Sequence, residues 1–118
     1  MQKALADKSG IMRFGLAYVP MDESLARVVV DLGGRAYCCL DLKLAGSQIE
    51  DLKTEDIEHF FSSFAQASKS NIHVAVEYGS NDHHKIEAAT KALAIALRQA
   101  VALETRTKNK IPSTKGVL

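Results

Sequence analysis

The chain has 118 residues, of which 47% are apolar and 25% charged, and its formal net charge is +1. This length and composition are typical of one globular domain and exclude a collagenous or a disordered chain. A net charge so close to zero argues against a general nucleic-acid-binding protein, and no apolar run approaches the roughly 20 residues that span a bilayer. We therefore expect a single domain over residues 1–118, with no nucleic-acid and no membrane partner.

In chain order, residues 1–8 have the pattern of a helix end that stops at Gly10. Three strand signals follow, "RFGLAYV", "ESLARVVVDL" and "RAYCCLDLKL", the second with a β-branched run. The glycine pair Gly33-Gly34 predicts that the second and third strands form a hairpin. The stretch "AGSQIEDL" is interpreted as a connector.

The spacing of the apolar residues then changes from a strand pattern to a helix pattern. The stretch "KTEDIEHFFSSFAQASKS" carries apolar residues at helical spacing, with Thr54 as the expected N-cap. A strand, "NIHVAVEYG", comes next. From Asp82 to about Leu103 the sequence is rich in good helix formers, and Asn81 or Asp82 is the expected cap.

The resulting order, β-β-β-α-β-α, predicts an α+β fold. We expect a two-layer sandwich in which an antiparallel-rich sheet of about four strands carries two helices on one face. Residues 104–118 are polar, basic and interrupted by Pro112 and Gly116, which predicts a mobile tail. Cys38 and Cys39 are adjacent, so they point to opposite faces of a strand and suit a reducing compartment. We expect a cytoplasmic protein, or a plastid one if a transit peptide has been removed.

The stretch "GSNDHHKIEAATKA" contains the most informative spacing. His83 and Glu87 are four residues apart and His84 and Glu87 are three apart, so each pair shares a helix face. Imidazole and carboxylate together suit manganese, iron or zinc. The alternative, which the spacing alone favours, is a solvated polar pair at a helix start.

Two other histidines are ambiguous by spacing. His59 is followed by Phe60 and Phe61, which favours a histidine at the boundary of the core. His73 lies on a strand face with Glu77, so it either pairs with that carboxylate or is a structural histidine under the helices.

The basic residues form a second candidate set. Arg13, Arg35, Lys91 and Lys115 are scattered along the chain, and Lys115 follows two hydroxyl residues in the stretch "PSTKG". Guanidinium groups and small hydroxyls are groups that bind phosphate. Spacing alone does not separate this interpretation from ordinary solvated charge.

Five stretches occur in an order that points to one family: "GIMRFG", "VPMDESLARVVVDLGGRAY", "IEHFF", "GSNDHHKIEAATKALAIALRQAV" and "PSTKGVL". Together they resemble imidazoleglycerol-phosphate dehydratase, an enzyme of histidine biosynthesis. The resemblance runs from about Ala4 to Leu118 and covers the C-terminal part of that enzyme, rather more than half. It implies a fold of two similar halves, each a small sheet backed by two helices.

The resemblance also implies a set of site residues. The implied manganese ligands are His59, His83, His84 and Glu87. The implied substrate- and phosphate-binding residues are Arg13, Arg35, His83, His84, Lys91, Ser113, Thr114 and Lys115. Asp22, with Glu23 beside it, matches an acidic pair of the family, and Asp22 and Glu87 are the implied catalytic residues. Each active site would hold two manganese ions, with His83 and His84 serving different ions, and with some ligands from the absent first half or from another chain.

The implied activity is the dehydration of imidazoleglycerol phosphate to imidazoleacetol phosphate without a redox cofactor. The manganese ions would act as Lewis acids, and the active site would lie between subunits of a large symmetric homo-oligomer. Two positions depart from the family pattern, Ala36 in place of a proline and Thr90 in place of a phenylalanine, and neither is a ligand.

Three interpretations of the chain stay open at this point. In the first, it is the C-terminal piece of a dehydratase, either a fragment or the partner of a separate first-half chain. In the second, it is a half that self-associates. In the third, it is a non-catalytic metal- or phosphate-binding assembly domain.

Overall fold

The computed structural model describes Leu5 and residues 8–105 and 110–116. The predicted helix end at residues 1–8 therefore lies largely outside the described residues. The strands are β1 (Phe14–Met21), β2 (Ser24–Asp31), β3 (Tyr37–Asp41), β4 (Gln48–Ile49), β5 (Leu52–Lys53) and β6 (Asn71–Tyr78). The helices among the named elements are α1 (Thr54–Ser68) and α2 (Asp82–Val101).

Four strands form one mixed sheet in the order β1-β2-β6-β3, and both helices pack on one face of it. The pairs β1–β2 and β2–β6 are antiparallel, whereas β3 runs parallel to β6. Alternate residues of β2 and β6 are buried beneath the helices: Ala26, Val28, Val30, Ile72, Val74 and Val76. This is the two-layer α+β sandwich that the sequence predicts, with about the expected number of strands.

The predicted hairpin between β2 and β3 is wrong. Gly34 does turn the chain, with a φ of +82°. However, β1 and β6 occupy both edges of β2, so β3 pairs with β6 instead. The fully apolar inner face of β6 suits a central strand, and the helix α1 makes the crossover that a parallel pair requires.

Two local predictions need correction, while the predicted end of α2 is close to the observed one. Lys53 is the N-cap of α1 and Thr54 is its first residue, with the Thr54 hydroxyl donating to the Ser47 carbonyl at 3.3 Å. The connector contains the short hairpin β4–β5, whose turn holds Glu50 at a φ of +51°. The helix α2 ends at Val101, close to the predicted limit.

The helix α2 lies directly on β1. A side chain at Gly15 would overlap the carbonyl oxygen of Ala96, so only glycine allows this approach. The inner face of α2 is correspondingly small, with Ala89, Ala92 and Ala96 buried. One end of α2 therefore lies beside the turn between β1 and β2, and the other beside the start of β1.

The second face of the sheet is open in this chain and carries exposed Phe14, Leu16, Tyr18 and Tyr37. His73 lies on this face, with its ring centroid 5.5 Å from that of Tyr37. The prediction of a histidine under the helices, or paired with Glu77, is wrong, because Glu77 pairs with Arg27 at 2.7 Å.

The described part of the tail, residues 110–116, touches the start of the sheet. The Gly10 amide donates to the Lys110 carbonyl at 2.9 Å, and the Arg13 guanidinium donates to the Pro112 carbonyl at 2.8 Å. The mobility expected for residues 104–118 stays a prediction. None of the described helices is long and apolar enough to cross a membrane.

Candidate active site

The start of α2 is held by its own cap and by the turn between β1 and β2. The Asn81 side chain accepts the amide N–H of His84 at 3.1 Å, as an N-cap should. In the turn, Glu23 accepts the amide N–H groups of Asn81 at 2.8 Å and Ser80 at 3.1 Å. These bonds fix the first turn of the helix, so the side chains that it carries are held on a rigid support.

His84 faces the acidic turn. Its Nδ1 lies 2.7 Å from Glu23 Oε2 and its Nε2 lies 3.6 Å from Asp22 Oδ2. The His84 side chain is 25% exposed. The implied catalytic residue Asp22 is thus next to an implied metal ligand, as the resemblance requires.

His83 points to the other side of the helix start. Its Nε2 lies 3.1 Å from Glu87 Oε2 and its Nδ1 lies 3.3 Å from Glu50 Oε1. The same Glu87 carboxylate accepts a hydrogen bond from Lys91 at 2.6 Å. The ring centroids of His83 and His84 are 6.1 Å apart, and the rings are inclined by 77°. Adjacent histidines on one helix turn are therefore aimed at two different places.

A cavity of about 400 Å³ opens beside His83. Its floor is apolar and its rim is charged. The lining residues are Ile49, Glu50, Leu52, Ile57, His83, Ile86, Glu87, Thr90 and Lys91. We refer to Asp22, Glu23, Glu50, His83, His84 and Glu87 together as the histidine cluster.

Charge pairing shifts the pKa values in the histidine cluster. The hydrogen bond from His84, followed by the backbone N–H of Asn81, holds the pKa of Glu23 well below its usual range. The same pair raises the pKa of His84 above its ordinary value. Lys91, and then His83, lower the pKa of Glu87. A cation at His84 would have to displace a proton, so its binding should strengthen as the pH rises.

His59, the remaining implied metal ligand, lies apart on α1. Its ring nitrogens are 3.4 and 3.5 Å from the Ser63 hydroxyl, and its side chain is exposed. Across the residues that the structure describes, no group of three or more His, Cys, Asp or Glu side chains is arranged to hold a metal ion. The structure therefore does not bring His59 to the histidine cluster of the same chain.

The donor chemistry nevertheless fits manganese in part. Each histidine of the pair has a carboxylate within 3.1 Å of one ring nitrogen, and a mixed imidazole and carboxylate set suits this ion. The described residues of the chain therefore offer imidazole and carboxylate donors without a ready-made group of three.

The basic residues form a second cavity, of about 340 Å³. Its lining residues are Arg13, Gly33, Gly34, Arg35, Ser113, Thr114 and Lys115, which we call the basic cavity. Most of the implied phosphate-binding residues are therefore brought together from three distant segments. The Lys115 amide donates to the Ser113 hydroxyl at 3.2 Å, which gives the tail segment a tight turn there.

Arg13 anchors the basic cavity. Its guanidinium donates to both Asp31 carboxylate oxygens, at 2.7 and 3.1 Å, and this pairing raises the pKa of Arg13. Its φ is +69°, a left-handed conformation that costs free energy in a residue other than glycine. The backbone holds this conformation, because the Arg13 amide donates to Ala100 at 2.9 Å and its carbonyl accepts from Leu32 at 3.1 Å.

Lys91 does not join the basic cavity in this chain. It lies beside Glu87 in the histidine cluster, whereas Arg13 bonds to Ala100 near the far end of α2. Sixteen residues separate His84 from Ala100, which corresponds to roughly 24 Å of helix at about 1.5 Å per residue. The two candidate half-sites are thus at opposite ends of one helix.

Sequence reasoning missed two members of the histidine cluster. Glu23 was identified only as the neighbour of Asp22. The available signal was that a glutamate in a tight turn can reach the start of a neighbouring helix. Glu50 fell in the stretch interpreted as a connector, and spacing carried no signal for its contact with His83.

The family model for imidazoleglycerol-phosphate dehydratase matches residues 1–97. An imidazoleglycerol-phosphate dehydratase from Chloroherpeton thalassium is 49% identical over 118 residues, which are 100% of this chain and 59% of the relative. Another from Lacticaseibacillus casei is 54% identical over 117 residues, 99% of this chain and 60% of the relative. The chain therefore spans about three fifths of the length of these curated relatives.

Two solved structures point to the same family. The crystal structure of imidazoleglycerol-phosphate dehydratase from Staphylococcus aureus superposes with a TM-score of 0.81 at 38% identity, covering 86% of this chain and 59% of that one. The Pyrococcus furiosus structure, a complex with (S)-C348, superposes with a TM-score of 0.83 at 34% identity, covering 98% of this chain and 64% of that one. The chain belongs to the imidazoleglycerol-phosphate dehydratase family.

Proposed function

We propose that the chain forms part of a manganese-dependent hydro-lyase that dehydrates imidazoleglycerol phosphate to imidazoleacetol phosphate in histidine biosynthesis. The active site combines the histidine cluster of one chain with the basic cavity of another. The observation that carries this proposal is the separation of the two half-sites by roughly 24 Å of α2.

The dimensions of the substrate support a shared site. A three-carbon chain joins its imidazole to its phosphate, which allows a reach of roughly 7 Å at about 1.5 Å per bond. One molecule cannot contact His84 and Lys115 of the same chain across the length of α2. In a symmetric homo-oligomer the same two surfaces meet repeatedly, so every chain can give one half-site and receive the other.

The residues of each half-site have complementary roles. In the basic cavity, Arg35 and Lys115 are exposed cations and Ser113 offers a hydroxyl, which together bind and orient a phosphate. In the histidine cluster, Asp22 lies beside His84 and is 71% exposed, so it is placed to meet the hydroxyl-bearing middle of the substrate.

Glu87 and Lys91 are the proton-handling pair of the proposal. The Lys91 ammonium lowers the pKa of Glu87, which keeps the carboxylate ionised and able to accept a proton from a substrate carbon. Manganese, when bound, supplies Lewis-acid stabilisation of charge on the imidazole. His83, His84 and Glu87 are the donors that this chain offers, and His59 would serve a site completed by another chain.

The basic cavity favours a second candidate function, because it brings Arg13, Arg35 and Lys115 together and so suits a phosphate with or without catalysis. This second function is a non-catalytic metal- or phosphate-binding assembly domain. This function retains the basic cavity and the histidine cluster and loses only the chemistry. For either function we propose a cytoplasmic location, which the free cysteines Cys38 and Cys39 support.

The test is dehydration of imidazoleglycerol phosphate by the purified chain with added Mn²⁺. It is run with and without the remaining N-terminal segment of the Chloroherpeton thalassium relative. His84→Ala should abolish turnover, whereas His73→Ala, which removes an exposed imidazole from the open face of the sheet, should leave it unchanged. Mn²⁺ and phosphate binding with no turnover under either condition would favour the assembly domain.

A further inference from the structure

Glu23 occupies a central place in the histidine cluster, yet neither metal binding nor substrate binding has been assigned to it. Its two carboxylate oxygens accept hydrogen bonds from different partners. Oε1 accepts the N–H groups of Ser80 and Asn81, at 3.1 and 2.8 Å, together with the Ser24 hydroxyl at 2.9 Å. Oε2 is left for a single partner, Nδ1 of His84, at 2.7 Å.

This contact determines where the ring proton of His84 lies. A carboxylate has only acceptors, so the hydrogen bond requires that Nδ1 carries the proton. Within the described structure, Nε2 makes no hydrogen bond, and its nearest acidic neighbour, Asp22, is 3.6 Å away. When the ring is neutral, Nε2 therefore keeps its lone pair.

His83 offers a comparison within the same helix turn. Both of its ring nitrogens have a carboxylate nearby, Glu87 at 3.1 Å and Glu50 at 3.3 Å, so neither tautomer is enforced. Glu50 is 76% exposed, whereas Glu23 is anchored by backbone N–H groups. His84 differs in that an anchored carboxylate bonds to Nδ1, while the carboxylate near Nε2, that of Asp22, lies beyond hydrogen-bond distance at 3.6 Å.

We propose that Glu23 is a positioning residue that fixes His84 as the Nδ1–H tautomer and presents Nε2 as a donor to a divalent cation. The inference rests on the proposed function for the identity of the cation. The arrangement is a carboxylate–histidine–metal relay, in which the outer carboxylate orients the ring and increases its basicity. The anchoring of Oε1 at the start of α2 links the orientation of the ring to the cap of the helix that carries it.

Glu23→Gln separates the two roles of the side chain, the anchoring through Oε1 and the contact of Oε2 with His84. The amide keeps one oxygen for the N–H groups of Ser80 and Asn81, and replaces the other with an NH₂ donor. That donor favours a proton-free Nδ1, which moves the proton to Nε2. Glu55→Gln is the matched control, because it removes one exposed carboxylate at the start of α1, where its recorded partner is Lys53 at 3.6 Å.

The first measurement is nitrogen-15 NMR of the His84 ring in the metal-free chain at alkaline pH, where the ring is neutral. We expect the Nδ1–H tautomer in the wild type and in Glu55→Gln, and the Nε2–H tautomer in Glu23→Gln. A wild-type ring in the Nε2–H form would overturn the proposal, and this readout does not depend on whether the variant folds.

The second measurement is titration with Mn²⁺ alone, followed by paramagnetic broadening of the His84 ring signals. The affinity in Glu23→Gln should fall roughly 10- to 100-fold, the usual effect of removing an outer-shell partner. An unchanged affinity in a folded Glu23→Gln variant would overturn the proposal. Failure of the wild type to bind Mn²⁺ both with and without the N-terminal segment of the relative, with the expected tautomer change intact, would instead contradict the proposed function and leave the positioning by Glu23 supported.

Discussion

The two ends of α2 differ in how they are built. At its start, His83, His84 and Glu87 share one capped helix turn, and Asp22, Glu23 and Glu50 reach them from two other turns. Near its end, the basic cavity is assembled from Arg13, the glycine turn at 33–34 and the segment 113–115, with no side chain of the helix among its lining residues. The first end therefore has a local nucleus on the helix, and the second depends on the fold alone.

This difference has a consequence for function. The basic cavity, with the exposed cations Arg35 and Lys115, suits an anion, while the histidine cluster, with four carboxylates and two imidazoles, suits a cation. The helix α2 holds the basic cavity and the histidine cluster at a fixed distance from each other, because Gly15 allows the helix to pack directly against β1. The separation of the half-sites is therefore a structural property that mutations can test.

The largest effect should come from Gly15→Ala, which disturbs both ends. The added methyl overlaps the carbonyl oxygen of Ala96, so α2 must move away from β1. We expect the free energy of unfolding to fall by about 3 kcal/mol. Urea denaturation measures this. Gly46→Ala is the control, because its new methyl would lie 3.4 Å from its nearest neighbour and should have little effect.

Asp82→Asn should weaken the histidine end alone. Asp82 bonds to the buried Lys85 at 2.8 Å and accepts the amides of Ala45 and Gly46. We expect a loss of about 2 kcal/mol at neutral pH from the weakened charged hydrogen bonds. Phosphate binding in the basic cavity should be unchanged, and a parallel loss there would contradict the independence of the two ends.

The same pair predicts a pH dependence. Lys85, the largest cause, lowers the pKa of Asp82 below its ordinary value of 3.8. The stabilisation is therefore fully present above pH 3.8 and is lost as the pH falls through the lower, folded-state pKa. Urea denaturation at neutral and acidic pH should show this decline in the wild type, and a smaller one in Asp82→Asn.

Gly33→Ala should affect the basic end with a smaller cost in stability. The new methyl would lie 2.9 Å from Asp31 Oδ2 and 3.1 Å from Arg13 Nη2. Both are ends of side chains that can shift, so we expect about 1 kcal/mol of destabilisation. Because Arg13 lines the cavity, inorganic phosphate should bind more weakly by calorimetry, and unchanged binding would mean that Arg13 takes no part.

The smallest effect should come from Glu50→Gln. Its carboxylate is 76% exposed and lies 3.3 Å from His83 Nδ1, so its removal should leave unfolding unchanged within error. The ring resonances of His83 should shift while those of His84 stay in place. Movement of both rings would show that the two histidines respond as a unit rather than facing separate partners.

The contrast between the two ends also explains what the sequence could predict. The start of α2, its cap at Asn81 and the shared face of His83 and Glu87 follow from short-range rules, and the structure agrees with them. The two-layer sandwich follows from the order in which strand-like and helix-like apolar patterns occur along the chain. The cap and the shared helix face depend on contacts between residues close in sequence, and the sandwich depends on which face of each element is apolar.

The errors arise where distant segments compete for the same place. The turn at Gly33-Gly34 predicted a hairpin between β2 and β3. In the structure β6 pairs with β2 instead, because the inner face of β6 is wholly apolar. Ser113 lies a hundred residues from Arg13, so spacing could not show that they line one cavity. The family resemblance indicated most of that set, and it did not indicate that Lys91 lies at the opposite end of the helix within one chain.

The sharing of the site between chains is tested most directly by mixing two variants, His84→Ala and Lys115→Ala, under the condition in which the wild type turns over. Each variant alone should be inactive, since each lacks one half-site. The mixed oligomer should recover about a quarter of wild-type activity, because that share of sites pairs two intact halves in a symmetric assembly. A mixture that stays as inactive as its components would contradict a site divided between the ends of α2 in different chains.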